Sequence, residues 1–240
     1  MLLFAGDPWL EKISRLIAEF NPNASVTFIK AQGDDTPSAE VVDAATVLIT
    51  SRSAAQTIAG RRPDLQCPNL SIDGLYSLEM KGKTVLGAEY LPETLPMGKV
   101  NRLMTTLARG EIDFQCPERF AASMDELKQQ EVATVSISDF IEERYRDRQL
   151  FSGSDRPDPI VTVEMSRRIA AELSLKEADI NRSQPWRTDW CAYRKSTNVM
   201  LPTDAERMGM TFEPDHQWFG NMMKITPKLY TEDGHLKKDE

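Results

Sequence analysis

Short β-rich apolar runs alternate with helical apolar stripes over the first hundred residues, the pattern of an open sheet covered by helices. Leu2 to Ala5 reads as the first strand. After Gly6-Asp7-Pro8, the residues Trp9, Leu10, Ile13, Leu16, Ile17 and Phe20 recur at helical spacing. Ser25 to Lys30 and Val47 to Thr50 are short, β-rich and bounded by polar or turn residues, which predicts the second and third strands, and Val85 to Gly87 predicts a fourth. Amphipathic helices are predicted around Val100, Leu103, Met104 and Leu107, and around Phe120, Met124 and Leu127. Ser123 to Glu126 fits a capping box and moves the predicted start of that second helix later. The fold class is therefore α/β, an open and mainly parallel sheet flanked by helices.

Ser136 to Arg146 reads as a helix that the Gly and two Pro of the segment Leu150 to Pro159 cannot continue, so that segment is a predicted loop. It feeds a helix whose Val161, Met165, Ile169 and Leu173 lie four apart on one face. From about Glu177 the periodicity fades and Trp, Tyr, Pro and Met dominate, predicting an irregular C-terminal segment with a frayed polar tail from Glu232 to Glu240. Residues 1–212 are expected to form one α/β domain, and residues 213–240 an irregular C-terminal extension.

Composition narrows the function classes. A chain of 240 residues with 40% hydrophobic and 28% charged positions is ordinary globular material, long enough to bury roughly 70% of its unfolded surface. The chain has no apolar run of about 18 residues, and its apolar start, Met1 to Ala5, is too short and lacks a basic flank, so a cytoplasmic protein without a membrane span is expected. Cys67, Cys116 and Cys191 are odd in number and far apart, which predicts reduced thiols and no zinc site. The net charge of −8, with bases interspersed among acids, argues against nucleic acid or an anionic membrane as partner. No Walker loop, G-x-G-x-x-G, H-E-x-x-H or paired C-x-x-C occurs, which disfavours the common nucleotide and zinc enzymes.

Three places carry candidate chemistry. Gly6-Asp7-Pro8-Trp9 follows the first strand, where open α/β sheets bind ligands against helix N-termini, although Asp followed by Pro is also an ordinary helix start. Asp155 and Asp158 flank Arg156, a combination that can orient a substrate or hold an anion, although Asp158-Pro159 again reads as a helix start. Ser51-Arg52-Ser53 follows the third strand, and Ser53 with Gln56 matches a capping box that aims N–H groups and the Arg52 guanidinium at the same sheet edge. Imidazole chemistry has only His216 and His235 to draw on, the latter in the tail.

Several short stretches occur in the order of a known family. Val135-Ser136-Ile137-Ser138-Asp139-Phe140-Ile141, then Tyr145-Arg146, Leu150-Phe151, the Arg156-Pro157 loop and the helix to Leu173 run in succession. Pro68-Asn69-Leu70 with Asp73-Gly74, and Leu201-Pro202 with Met208-Gly209-Met210-Thr211-Phe212, add two further elements. Together they resemble the WcbI-type family of polysaccharide biosynthesis proteins from the first strand to about Phe212. The resemblance implies an α/β fold, coenzyme A or acetyl-coenzyme A as cofactor, and acetyl transfer onto a bacterial capsular or surface sugar. The departures are chemical: Pro8 stands where the family has the Cys of G-N-C-Q, and Arg156 where it has the His of N-H-P-T. Neither can attack a carbonyl or accept a proton.

What the resemblance implies is a divergent acyltransferase-like protein with a saccharide or acyl-thioester ligand. Asp7 and Asp158 would serve as catalytic carboxylates, with Gly6, Ser51, Arg52, Asp155 and Arg156 as ligand-binding residues and no metal. Two alternatives stand beside it: a catalytically silent binding or scaffold protein, and a degenerate relative of the SGNH esterases, whose serine falls at Pro8 and whose histidine falls at Asp158. The aromatic residues Trp186, Trp190, Tyr193, Trp218 and Phe219 would suit a partner or a homo-oligomer interface, or packing onto the core.

Overall fold

The strand Leu2–Gly6 (β1) is hydrogen-bonded on both edges and buries Leu3, Phe4 and Ala5 completely. A computed structural model of the chain describes residues 1–30, 37–52, 58–81, 84–95, 100–131, 135–177, 198–212 and 218–237. Contacts group the chain into two compact units: Met1–Leu70 with Met124–Glu143 and Arg156–Ala192, and Ser71–Ser123 with Arg144–Asp155 and Tyr193–Glu240. Each unit is assembled from three separate stretches, so no single point in the chain marks a border for composition to reveal. Among the described residues no helix is long and apolar enough to cross a membrane.

The first unit holds a four-stranded parallel sheet, β2-β1-β3-β4, built from β1, Val26–Lys30 (β2), Val47–Ser51 (β3) and Leu65–Cys67 (β4). Helix Pro8–Phe20 (α1) connects β1 to β2 and buries Trp9, Leu10, Ile13, Leu16 and Ile17, packing on β1, β2 and the helix Pro159–Glu172 (α6). The chain then returns through Ala39–Asp43 (α2) to β3 on the other side of β1. Right-handed crossovers in the two directions place α1 and α2 on opposite faces of the sheet. On the α2 face, Leu3, Val42, Ala45, Leu48 and Ile58 form a buried cluster. The C-terminal carbonyls of α2 are held by Arg61, which donates to Val42 O at 3.0 Å and Ala45 O at 2.6 Å, a cation where the helix dipole favours one.

The parallel α/β expectation therefore holds, with one strand misassigned. The strand expected at Val85 to Gly87 exists as Thr84–Leu86 (β6), but it pairs antiparallel with Leu78–Lys81 (β5) in a separate sheet of order β6-β5-β9, where β9 is Asn198–Val199. The fourth parallel strand is β4, whose three residues before Pro68 are too few to show a period.

Helix boundaries also move, for identifiable reasons. The helix expected to start near Ser123 runs from Cys116 to Glu131 (α4), because Ser123 Oγ is used elsewhere, accepting the Asp73 N–H at 3.0 Å. Helix Ser138–Arg144 (α5) starts two residues late because the Glu131 carboxylate accepts the N–H groups of Ile137 and Ser138. Within the expected loop from Leu150, Phe151–Gly153 (β7) and Arg156–Pro157 (β8) form short strands.

The second unit holds β5, β6, β9, Val100–Ala108 (α3), Pro202–Arg207 (α7) and Trp218–Leu229 (α8). α8 lies inside the stretch 213–240, which is thus helical over much of its length, and buries Met222, Ile225 and Leu229. The tail is tied down as far as Lys237: Leu236 N donates to Glu93 O, His235 bridges Thr94, and Lys237 N donates to Leu229 O. Trp218 packs edge-on to Phe219 at 5.8 Å between ring centroids, and Phe219 is half exposed; Trp186, Trp190 and Tyr193 lie outside the described residues.

Arg119 on α4 organises this unit. Its guanidinium grips Asp73 with two hydrogen bonds, at 2.6 and 3.0 Å, and also donates to the carbonyls of Tyr76, Ser77 and Phe114. The grip draws the turn at Gly74 so close to α4 that a Cβ there would stand 2.4 Å from Phe120 N, at a φ of +80° that only glycine adopts without strain. Arg119→Ala, which removes a mostly buried donor from three carbonyls and from the half-exposed Asp73 carboxylate, is expected to lower the unfolding free energy by about 1–3 kcal/mol in urea denaturation.

Candidate functional site

In an open parallel sheet the ligand crevice lies beyond the carboxyl ends of the strands, where the strand order reverses. Here that reversal falls between β1 and β3, because α1 leads from β1 to one side and α2 leads back to the other. Gly6 ends β1 and Ser51 ends β3. The two backbones approach so closely that a Cβ on Gly6 would lie 2.4 Å from Ser51 Oγ and 3.0 Å from Ser51 N. The fully buried Ser51 hydroxyl accepts the Asp7 N–H at 3.3 Å, which links the two strand ends. Asp7 occupies the N-cap position of α1 and its carbonyl accepts from Leu10 N at 2.9 Å, yet its side chain makes no capping hydrogen bond. The carboxylate is half-buried at the switch point and is not a capping acceptor for α1.

Arg52 follows at the same edge. Its N–H donates to Cys67 O at 2.8 Å, and its exposed guanidinium donates through Nη1 to Gln130 O at 2.9 Å, at the C-terminal turn of α4. Gln130 Oε1 in turn accepts from Asn69 N at 2.7 Å. Arg52 thus fastens α4 to the sheet edge through an exposed side chain. The capping pair expected at Ser53 and Gln56 lies outside the described residues. Cys67, at the end of β4, is fully buried, and burial drives its thiol far above the usual range.

Asp158 is the N-cap of α6, and its carboxylate accepts from Ile160 N at 3.2 Å. It also attracts Lys12 of α1, whose ammonium is pulled below its usual range by burial and partly restored by Asp158. Arg156 is exposed in β8. Gly6, Asp7, Ser51, Arg52, Arg156 and Asp158 all belong to the first unit, whereas Asp155 belongs to the second, where it pairs with Lys81 at 3.3 Å.

Sequence reasoning missed two buried carboxylates of the second unit. Glu79 is 5% exposed, and both of its oxygens accept the Ser154 N–H, at 2.8 and 2.7 Å; burial raises its pKa against that hydrogen bond. Asp204, fully buried, accepts from Ser77 Oγ at 2.7 Å and pairs with Arg207 at 3.2 Å, and burial raises it as well. Beside it the Cys116 thiol is pushed up to about 12, chiefly by burial, so it stays protonated and is no nucleophile. An alternating strand that carries one Glu, or a helix with Asp in its first turn, gives no sign of such burial. His216 lies outside the described residues. No group of three or more metal-ligating side chains occurs among the described residues.

Because the folded pKa values of Glu79 and Asp204 are raised, the native state holds these protons more tightly than the unfolded chain. Their favourable contribution is complete below the usual carboxylate range and is lost as pH rises through the raised values. Urea denaturation across about pH 4 to 8 is expected to show stability falling as pH climbs past about 4.3, and Glu79→Gln to flatten part of that fall. At the strand ends, Gly6→Ala is expected to cost about 1–3 kcal/mol of stability in the same assay, with Ser51→Gly recovering part of it.

No protein-family model matches the chain, and no curated protein sequence matches it. A solved structure of WcbI, described as a polysaccharide biosynthesis enzyme in native form without a disulfide bond between coenzyme A and one of its cysteines, is similar to the chain. The TM-score is 0.53 at 15% identity, over 75% of this chain and 72% of that one. At that identity the likeness is one of fold: the chain carries a WcbI-like α/β architecture.

Proposed function

We propose that the chain is a WcbI-like protein of surface-polysaccharide biosynthesis that transfers an acyl group, acetyl in the simplest case, from a coenzyme A thioester to a sugar hydroxyl. The observation that carries this reading is the Asp7 carboxylate, which stands at the β1–β3 switch point and makes no capping bond to its own helix. The WcbI-like fold supports it. The first unit offers an anionic cofactor the exposed guanidinium groups of Arg52 and Arg156. Bound acetyl-coenzyme A supplies an activated thioester carbonyl whose C–S bond breaks as the sugar C–O bond forms. Asp7 takes the hydroxyl proton and returns it to the departing thiolate. Asp158, fixed by Ile160 N and faced by Lys12, orients rather than abstracts. With Pro8 in place of a nucleophile and Cys67 buried as a thiol, transfer proceeds without a covalent enzyme intermediate.

A second reading, a binding module without turnover, is favoured by the structural duties of Arg52 on Gln130 and of Asp158 on α6. The two readings separate in one set of measurements. Coenzyme A at about 100 times its Kd is expected to stabilise the native state by about 2.7 kcal/mol in a thermal-shift titration. Asp7→Asn is expected to abolish acyl transfer while keeping that shift. Asp158→Asn, which retains a capping side chain of equal rank, is expected to keep the melting temperature and lower turnover. Saturable stabilisation with no transfer in the unaltered protein selects the binding module, and no stabilisation at millimolar ligand removes both readings.

A further inference from the structure

Two buried side chains of the second unit, neither of them part of the acyl-transfer reading, each lack what the other can supply. Glu79 on β5 and Asn198 on β9 stand directly opposite each other in the antiparallel pair, 5% and 4% exposed. Side chains so placed share a face and meet. Both reach the same short stretch of chain: Asn198 Nδ2 donates to Ser152 O at 2.7 Å, and the Glu79 oxygens accept the Ser154 N–H. Ser152 O can only accept, so the Asn198 amide cannot flip. Its Oδ1 is left buried with no hydrogen-bond partner among the described residues. The same asparagine is fastened to α8, since its backbone carbonyl accepts from Asn221 Nδ2 at 3.0 Å.

Ionised, Glu79 is poorly served. Among the described residues its donors are the Ser154 N–H and, at 3.4 Å, the Ser154 hydroxyl, too few for a buried charge. The charges around it do not make up the lack. β6 and β9 bring none, and Lys81 of β5 sends its ammonium to Asp155 at 3.3 Å, while Asp155 itself repels a carboxylate at Glu79. Asp73, beside the Ile72 N–H that donates to Ser154 O, is held by Arg119. Lys228 of α8 lies 3.0 Å from the Met80 sulfur, on the other face of β5. Protonated, Glu79 gains an O–H with a buried acceptor opposite it, Asn198 Oδ1, which that bond satisfies, and burial favours this form. We propose that Glu79 is held as a carboxylic acid whose O–H donates to Asn198 Oδ1, and that this bond is a pH-sensitive latch on the stretch 152–155. Loss of the proton to water sets two acceptors face to face and loosens that stretch from β5 and β9.

Infrared spectroscopy, NMR and hydrogen exchange of the full chain test this. At about pH 6, where an ordinary glutamate is ionised, the C=O stretch of a protonated carboxyl is expected. Isotopic labelling of the glutamate carboxyl carbons is expected to shift that band, which separates Glu79 from Asp204. Glu79→Gln, which keeps an acceptor for Ser154 N and offers an N–H to Asn198 Oδ1, is expected to remove the band and keep the melting temperature. The Asn198 side-chain carbonyl carbon is expected to titrate with the same midpoint as the Glu79 carboxyl carbon. A proton bound more tightly in the latched state makes protection of the Ser154 N–H, corrected for base catalysis of exchange, fall about tenfold per pH unit between about pH 4.3 and that midpoint and level off above it. In Glu79→Gln protection stays level throughout. The proposal is overturned by the lack of a protonated glutamate band in the unaltered chain, by an Asn198 carbon that does not follow the Glu79 titration, or by Ser154 protection in the unaltered chain that is independent of pH.

Discussion

Everything at the candidate site depends on β1 being paired on both edges. A strand bonded to β2 on one side and β3 on the other, with Leu3, Phe4 and Ala5 fully buried, cannot shift register without breaking two ladders and exposing its apolar residues. Its end is therefore a fixed point. Gly6 terminates it within contact of Ser51, and the next residue begins α1, so the direction of the chain at Asp7 is set by sheet geometry and not by the aspartate. The carboxylate is presented at the switch point because the two strands have no room for a side chain between them.

The second unit solves a different problem, that of keeping charge inside a small antiparallel sheet and its helices. Arg119 satisfies itself on Asp73 and three carbonyls, and Asp204 on Ser77 and Arg207. Glu79 leans on the Ser154 N–H. Fully partnered groups of this kind specify one arrangement of the turns they join, since any alternative leaves a buried charge unmatched. The cost appears in the raised carboxylate pKa values, which tie the stability of the unit to protonation.

Much of the first unit was legible from the chain. Three of the four parallel strands and α1 carry clear periods, and the helix starts at Asp7-Pro8 and Asp158-Pro159 are where those dipeptides place them. The roles at the two starts diverge in a way the dipeptides do not encode: Asp158 caps α6, whereas Asp7 does not cap α1. β4 escaped notice because three residues show no period. β6 was assigned to the wrong sheet because a short β-rich run looks the same whether its partner is parallel or antiparallel. Asp155 pairs with Lys81 of β5, a contact that its place beside Arg156 in the chain does not announce.

The sequence by itself determined the α/β class and the helix-start residues at the sheet edge. Those are properties of local composition and spacing, carried by single short segments. Tertiary structure alone decided which strand ends meet, which aspartate is left uncapped and which acids are buried. Each of these depends on residues from dozens to more than a hundred positions apart, and on the removal of water around them, neither of which is written in the period of any one element.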